Sequence, residues 1–508
     1  MDRELITAQE ESIFAPSKLW LIAVLGIILG CGLGARLYDL KDPPLDYAST
    51  RQLRSALLAR SKYYSIAQDP VPWKKEMAQR QGSFSQIEPE VMEWIVAVTY
   101  RVVGGEHVWI ARIYSSLFWV VGGLALFALS REMVGIDGAV IGLVYTLFAP
   151  FGVIASRSFQ PDPLMTAAIV VSWWAFFRWH TTHTWNWAIL AGLSAGFAMF
   201  VKSTSVFFLL GGMAVLVLLR NSLRKNLRDR QMWAIIILAG LPVLLYHFYG
   251  IIILGTLGKQ FQGRFFPQLL TEAGFYRQLI NAMGTVVGHK LLLLPALLGI
   301  FLLRRKQMIG YVLGIWGGYI LYVLAFSYHS TTHYYYHLPA IPLMGLALAS
   351  FSEFLIKKLS SPVFNVVTNL GLAVIVLLGV GGTHYRLYQE DYRHEPGWYW
   401  MVTSKVDRDA KIAVLSQDYG NRIAYYGWIS PKVWIGSRGD YGDLTGKASD
   451  PFDAKFNQFF KHMDYFIVTR TNSLERQERL HEKLRETYPV HARGGGYVIF
   501  DLRTDANE

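Results

Sequence analysis

Apolar residues in this chain fall in runs of about 20 positions that recur from residue 18 to residue 385, and polarity then returns to ordinary levels. Each run is close to the length that crosses a hydrocarbon core. About eleven transmembrane helices are expected, near residues 18–38, 107–130, 138–156, 161–179, 186–201, 203–220, 232–254, 289–303, 308–327, 333–353 and 364–385. The runs 186–201 and 203–220 meet at Lys202 as a tight hairpin. Between the first two runs, residues 39–106 form a long connector with structure of its own. Residues 49–60 have helical character, with Ser49 or Thr50 as the expected cap. Residues 90–103 carry Val91, Trp94, Ile95, Val98 and Val102 on one face, which suits a helix lying in the membrane interface.

Past residue 385 the pattern alternates between strand and helix. Strands are expected at 411–417 (KIAVLSQ), 432–436, 464–470 (DYFIVTR) and 496–502, with helices at 419–428, 452–463 and 473–487. This alternation predicts a small α/β sandwich with a mostly parallel sheet. No GxGxxG follows the first strand, so nucleotide binding has no support. The glycines of RGGGYVIFDLR read as a turn into the last strand, because no helix follows to hold an anion. The expected fold is therefore a polytopic α-helical membrane region over residues 1–385, including the 39–106 outer loop, and a soluble α/β domain over 386–508.

Composition sharpens this picture. Only 17% of the 508 residues are charged and 52% are hydrophobic, whereas a soluble chain carries about a quarter charged residues. The net charge of +12 does not point to nucleic acid, because the basic residues sit in short loops between apolar runs. They are Arg131; Arg178; Arg220, Arg224, Lys225, Arg228 and Arg230; Arg304, Arg305 and Lys306; and Lys357 and Lys358. Placing the N-terminus in the cytoplasm puts all of these on the cytoplasmic side, as the positive-inside rule requires. The 39–106 loop, the Gln160–Pro161–Asp162 turn, the 255–288 loop and the C-terminal domain then face outward. The expected location is the plasma (inner) membrane, crossed many times. A lone cysteine, Cys31, excludes an intrachain disulfide. The first apolar run is too long for a cleaved signal and follows an acidic tail, so it reads as a retained helix.

The chemistry concentrates at the outer ends of the runs. Asp39, Asp42 and Asp46 follow the first run and precede Arg51, Arg54 and Arg60. Ionisable groups at such a boundary call for a functional explanation, although capping or a salt bridge to Arg51 or Arg54 would also account for them. Asp162 stands between prolines, either as an N-cap with Pro163 at the first helical position or as a second functional acid. Arg51, Arg54, Arg157, Lys202, Lys259, Arg264 and Lys290 are candidates for neutralising a phosphate, or for simple snorkelling to the interface. His329, His333 and His337 recur at intervals of four, interleaved with Tyr334, Tyr335 and Tyr336. That spacing admits metal ligation or an aromatic belt.

At Asp46 the sequence resembles the membrane-embedded GT-C glycosyltransferases, in particular the dolichyl-phosphate-mannose protein mannosyltransferase and aminoarabinose transferase superfamily. The similarity lies in an outer-loop acid followed by a helix ending in ARSKYY, Arg112 in IARIYSSLF, SRSFQPDPLMTAAI, GLSAGFAMFVKSTS, and HYYYHLPAIPLMGLAL. The resemblance implies that Asp46 acts as general base, or orients the acceptor nucleophile, in an inverting transfer from a polyprenyl-phosphate sugar. Asp42 remains an alternative, because the family's Asp-Glu pair is here Asp46–Tyr47. It makes Asp162 a second acid near the reaction centre, in a position that is sometimes linked to a divalent metal. It assigns the segment of His333, Tyr335 and His337 to sugar or phosphate contact. No cofactor is certain, and the metal ligands, if any, are unknown.

The expected function is an inverting glycosyltransferase that takes a lipid-linked sugar from the bilayer and gives it to a glycan, lipid or protein acceptor outside. The alternative is a secondary transporter for a polar or anionic solute. Against it, the acids lie at span ends and no corresponding halves are evident.

Overall fold

The computed structural model describes residues 12–84, 88–255, 257–258, 264–435 and 452–503. The chain divides into two compact units. One contains Met1–Leu40, Gln86–Val91 and Ala111–Gln389; the other contains Lys41–Ser85, Met92–Ile110 and Glu390–Glu508. Most of the long connector after the first apolar run, Lys41–Ser85 and Met92–Ile110, thus belongs to the same unit as the C-terminal domain.

The first unit is helical. Among the described residues, seven helices have the length and hydropathy to cross a membrane: Lys18–Leu37, Trp109–Met133, Ser203–Arg220, Arg230–Ile253, Lys306–Ala325, Tyr334–Lys358 and Pro362–Gln389. Ala273–Val287 and Lys290–Phe301 make an eighth if counted as one span bent by 88°. Ile136–Phe148 and Trp185–Val201 are apolar but shorter. Asp162–Thr182 is 21 residues long and almost wholly buried, with Asp162, Thr166, Ser172 and Arg178 lowering its hydropathy.

Close helix packing explains several of these elements. A Cβ on Gly211 would collide with the Gly314 carbonyl, and one on Gly318 with the Phe207 carbonyl. Helix Val206–Arg220 therefore approaches Lys306–Ala325 backbone to backbone, the arrangement that small residues permit where no hydrophobic driving force separates helix from lipid. Lys202, in extended backbone, breaks Trp185–Val201 from the 3-10 turn Ser203–Ser205 that opens the next helix. The chain breaks at Lys202 as the sequence predicts, but the two helices do not pair as a hairpin: Trp185–Val201 packs on Asp162–Thr182 and Arg230–Phe248, and Val206–Arg220 on Lys306–Ala325.

The second unit joins helices Ser49–Ile66, Pro72–Gln81 and Val91–Val103 to a five-stranded sheet and its helices. Strands β1 (Ile412–Leu415), β2 (Lys432–Val433), β3 (Tyr465–Val468), β4 (Val490–Gly494) and β5 (Tyr497–Asp501) lie in the order β2-β1-β3-β5-β4. β1 pairs parallel with β2 and β3, while β5 pairs antiparallel with β3 and β4. The sheet is mixed, not mostly parallel. The expectation failed because β4 is an exposed edge strand without apolar alternation, and the glycine turn closes a β4–β5 hairpin.

The helix at residue 49 also corrects a detail. Its N-cap is Ala48 in a left-handed conformation without a side-chain bond. Ser49 and Thr50 instead donate to Asp418 Oδ1, at 2.5 and 3.1 Å. In Val91–Val103, the predicted apolar face is indeed outward, with Trp94 and Val98 exposed. Met92, Val96, Ala97 and Tyr100 are buried on the opposite side.

Candidate active site

In the first unit, Asp162 is the first residue of its helix and Pro161 is the N-cap, so the carboxylate is not a cap. Its side chain is fully buried, and Oδ1 accepts from Lys202 Nζ at 2.8 Å. Oδ2 has no hydrogen-bond partner among the described residues. Burying two charges costs several kcal/mol per ion, roughly, and is offset only when the remaining lone pairs are also satisfied. An unsatisfied buried oxygen adds about 1–3 kcal/mol. A pair left open in this way is poorly explained as a stabilising device.

The break between the two helices carries Lys202 into an aromatic surround. Its ammonium lies 5.4 Å from the Tyr335 ring centroid and 5.1 Å from that of Tyr336. Tyr336 stacks on Tyr322 and His329, and its hydroxyl accepts from Arg264 Nη1 at 3.0 Å. His333 lies beside His329, ring centroids 5.5 Å apart. Burial, then the charges of Arg264, His333 and Lys202, hold the His329 imidazole down at about 3, so it is neutral near pH 7. His337 points elsewhere: one ring nitrogen bonds the Tyr319 hydroxyl at 2.6 Å and the other the Ser330 carbonyl at 2.6 Å. The three histidines do not converge, and among the described residues no three His, Cys, Asp or Glu could hold a metal ion together.

A second group surrounds the end of helix Lys18–Leu37. Arg36, Arg112 and Arg157 are all buried. Arg157 Nη2 donates to the carbonyls of Tyr38 and Asp39 at 2.8 and 3.0 Å, and Arg112 Nη1 donates to those of Asp39 and Leu40, both at 3.1 Å. Asp39 adopts a left-handed conformation (φ 49°), turning the chain so that these carbonyls face the guanidinium groups. Cations at a helix C-terminus are favoured by its dipole. Arg36 itself bonds Ser156 Oγ and the Gly32 carbonyl, both at 2.7 Å. The sequence reading singled out Arg157 and, by resemblance, Arg112; it missed Arg36, whose signal was a basic residue in the last turn of an apolar run.

In the second unit, Asp42 and Asp46 are both buried. Asp42 Oδ1 accepts from the Tyr392 backbone N–H at 2.9 Å, with Arg393 Nη1 at 3.9 Å. Asp46 Oδ1 accepts from Gln52 Nε2 at 3.2 Å, and Gln52 also donates to the Tyr47 carbonyl. Arg54 lies over the Phe84 ring at 4.6 Å, and Arg51 is half-buried.

Arg60 is fully engaged. Its Nε donates to both oxygens of Glu106 at 3.1 Å, and Nη1 donates to Gln81 Oε1 and the Tyr425 carbonyl. The rings of Tyr425 and Trp428 lie 3.9 and 4.0 Å from its guanidinium carbon. Lys290, in the first unit, is exposed at the bend after Val287, its Cβ beside Gly284, and is not part of the Lys202 cluster. Lys259 lies outside the described residues.

Comparison with known proteins agrees with the family resemblance, over residues that do not include Asp46. Residues 88–249 match the family of dolichyl-phosphate-mannose-protein mannosyltransferases. Comparison with curated protein sequences finds no match. The fold is similar to that of ArnT from Cupriavidus metallidurans, solved bound to undecaprenyl phosphate. There the TM-score is 0.61 at 15% identity, over 96% of this chain and 98% of that one. It is also similar to the oligosaccharyltransferase AglB from Archaeoglobus fulgidus, solved with an inhibitory peptide and a dolichol-phosphate. In that case the TM-score is 0.54 at 12% identity, over 93% of this chain and 72% of that one. The fold is thus one shared with these two solved structures.

Proposed function

We propose that the chain is an inverting glycosyltransferase that moves a sugar from a polyprenyl-phosphate donor to an acceptor at the outer face of the membrane. The acceptor's O–H or N–H attacks the anomeric carbon, and a carboxylate takes the proton. The bond from that carbon to the phosphate oxygen breaks, and polyprenyl phosphate leaves with the electron pair. Asp46 is the base in this reading, with Asp42 serving to anchor the loop through the Tyr392 N–H. Lys202 and Arg264, with Tyr335, Tyr336 and His333, receive the sugar-phosphate end of the donor, and Asp162 orients Lys202. The role of Arg157 at the phosphate is shared with its bonds to the Tyr38 and Asp39 carbonyls.

The observation that carries this reading is the open Asp162–Lys202 pair, in a chain of which 93–96% follows the fold of enzymes solved with polyprenyl phosphates. A secondary transporter is not favoured by those comparisons. The proposed topology keeps eleven spans, counting the short helices, with the N-terminus cytoplasmic and the C-terminal domain outside a plasma (inner) membrane. The positive-inside pattern supports that sidedness.

The test is transfer from defined polyprenyl-phosphate sugars by purified protein. Asp46→Asn is expected to lower the rate by about 10²–10⁴-fold, with normal membrane insertion and unchanged donor binding. Full activity in this variant, together with loss in Asp42→Asn, would move the base to Asp42. Solute uptake into proteoliposomes without chemical change would overturn the enzyme reading.

A further inference from the structure

Helix Tyr334–Lys358 has its aromatic cluster at one end and a pair of lysines at the other. From Tyr336 to Lys357 the axial rise is about 30 Å, close to one hydrocarbon thickness. At the lysine end is a cavity of about 390 Å³, whose lining includes Leu302, Arg304, Glu353, Phe354, Lys357 and Lys358. It lies within the first unit, at the C-terminal ends of helices Trp109–Met133, Leu293–Phe301 and Ala340–Lys358.

The charges in this cavity do not cancel. Its one acid, Glu353, is buried and committed: Oε2 accepts from the Gly138 backbone N–H and Oε1 pairs with Lys357, both at 2.7 Å. The fit leaves no room for change, because a Cβ on Gly135 or Gly138 would collide with Glu353. Arg304 and Lys358 are exposed and have no ion-pair partner among the described residues. The helix C-termini draw these cations to the cavity mouth, but their partial charges fade within a turn while the side-chain heads reach beyond it. Leu302 and Phe354 supply an apolar wall, and Lys358 lies 5.4 Å from the Phe354 ring centroid. Two uncommitted cations over an apolar wall, at the end of a membrane-length helix, match an anionic headgroup followed by glycerol and acyl chains. The volume lies within the range of small-ligand pockets.

We propose that this cavity binds the headgroup of an acidic glycerophospholipid, with Arg304 and Lys358 on its phosphate and Leu302 and Phe354 against its glycerol. The site is about one membrane thickness from the Tyr336 cluster, so it is distinct from the proposed donor site and does not depend on the glycosyltransferase reading.

The full chain, purified in detergent and stripped of lipid, is titrated with phosphatidylglycerol and with phosphatidylcholine, and bound lipid is counted by native mass spectrometry. Wild type is expected to retain phosphatidylglycerol preferentially. Arg304→Gln with Lys358→Gln is expected to weaken that retention roughly tenfold or more and to leave phosphatidylcholine unaffected. Both side chains are exposed, and an unchanged melting midpoint confirms folding. Arg304→Lys is a second variant, expected to retain most of the binding. The control Arg224→Gln with Lys225→Gln removes the same charge from another exposed basic loop. An equal loss in the control means diffuse attraction only and overturns the site. So does undiminished retention in the first double variant. Competition by millimolar inorganic phosphate would also overturn it, because the cavity would then select a free anion and not a lipid.

Discussion

Each unit buries an ion pair, and the two pairs are finished differently. In the second unit, Arg60 and Glu106 are satisfied by two side-chain partners, a backbone carbonyl and two flanking rings, and among the described residues no buried atom of either lacks a partner. In the first unit, Asp162 gives one oxygen to Lys202 and keeps the other unpartnered. Burial alone does not separate a structural charge from a functional one. Between these two ion pairs the unmade bond is the difference, because an open carboxylate oxygen costs stability and gains none.

The sharpest way to break this contrast is at Asp162. Asp162→Asn keeps the shape and an acceptor for Lys202 but removes the opposing charge; it is expected to cost about 10²–10³-fold in transfer per folded molecule and to destabilise less than the loss of a whole partner. Near-normal transfer in that variant would reduce the pair to packing. The opposite result is expected at Arg60→Met. Leaving the half-buried Glu106 with only the Tyr425 hydroxyl is expected to destabilise the fold by up to about 3–5 kcal/mol, read by denaturant unfolding. Transfer per folded molecule should be unchanged. If Arg60→Met instead lowered the rate without loss of stability, the completeness criterion would fail.

A smaller effect is expected one contact away. Tyr336→Phe removes the hydroxyl that accepts from Arg264 but keeps the ring beside Lys202. It should raise KM for the donor by about 5–20-fold and leave kcat nearly unchanged. A fall in kcat alone would assign Tyr336 to the reacting atoms and not to donor binding.

Much of this organisation was legible in the sequence because it is written in short periods. The apolar runs, the Lys202 break, the outward face of Val91–Val103 and strands β1, β3 and β5 all follow from residues close together in the chain. What was not legible depends on distant partners. Ser49 and Thr50 look like caps until Asp418 takes their hydroxyls from 369 and 368 residues away. β4 has no alternation to reveal it, since its side chains are mostly exposed and its pairing is supplied by β5. The histidines at intervals of four suggested a common face, yet His337 is turned to Tyr319 and Ser330 by a break between Ser327–Thr332 and Tyr334–His337. In the candidate site, residue types and order were readable. Which oxygen stays unpaired was not.

The weakest expected effect tests the surroundings of the open pair and not the pair itself. His329 stacks on Tyr336 and is held at about 3, against an ordinary 6.5, by burial and by neighbouring cations. The folded state therefore keeps the ring neutral while the unfolded chain takes up a proton below about 6.5. Between those values the unfolded state binds more protons, so stability is complete above about 6.5 and declines as pH falls toward 3. At pH 5 the loss from this residue is at most about 2 kcal/mol, and less because solvent reaches the half-buried ring. His329→Asn should flatten the fall in melting midpoint between pH 7.5 and pH 5. An equally steep fall in the variant would trace the acid sensitivity to other groups and remove His329 from the cationic surround of Lys202.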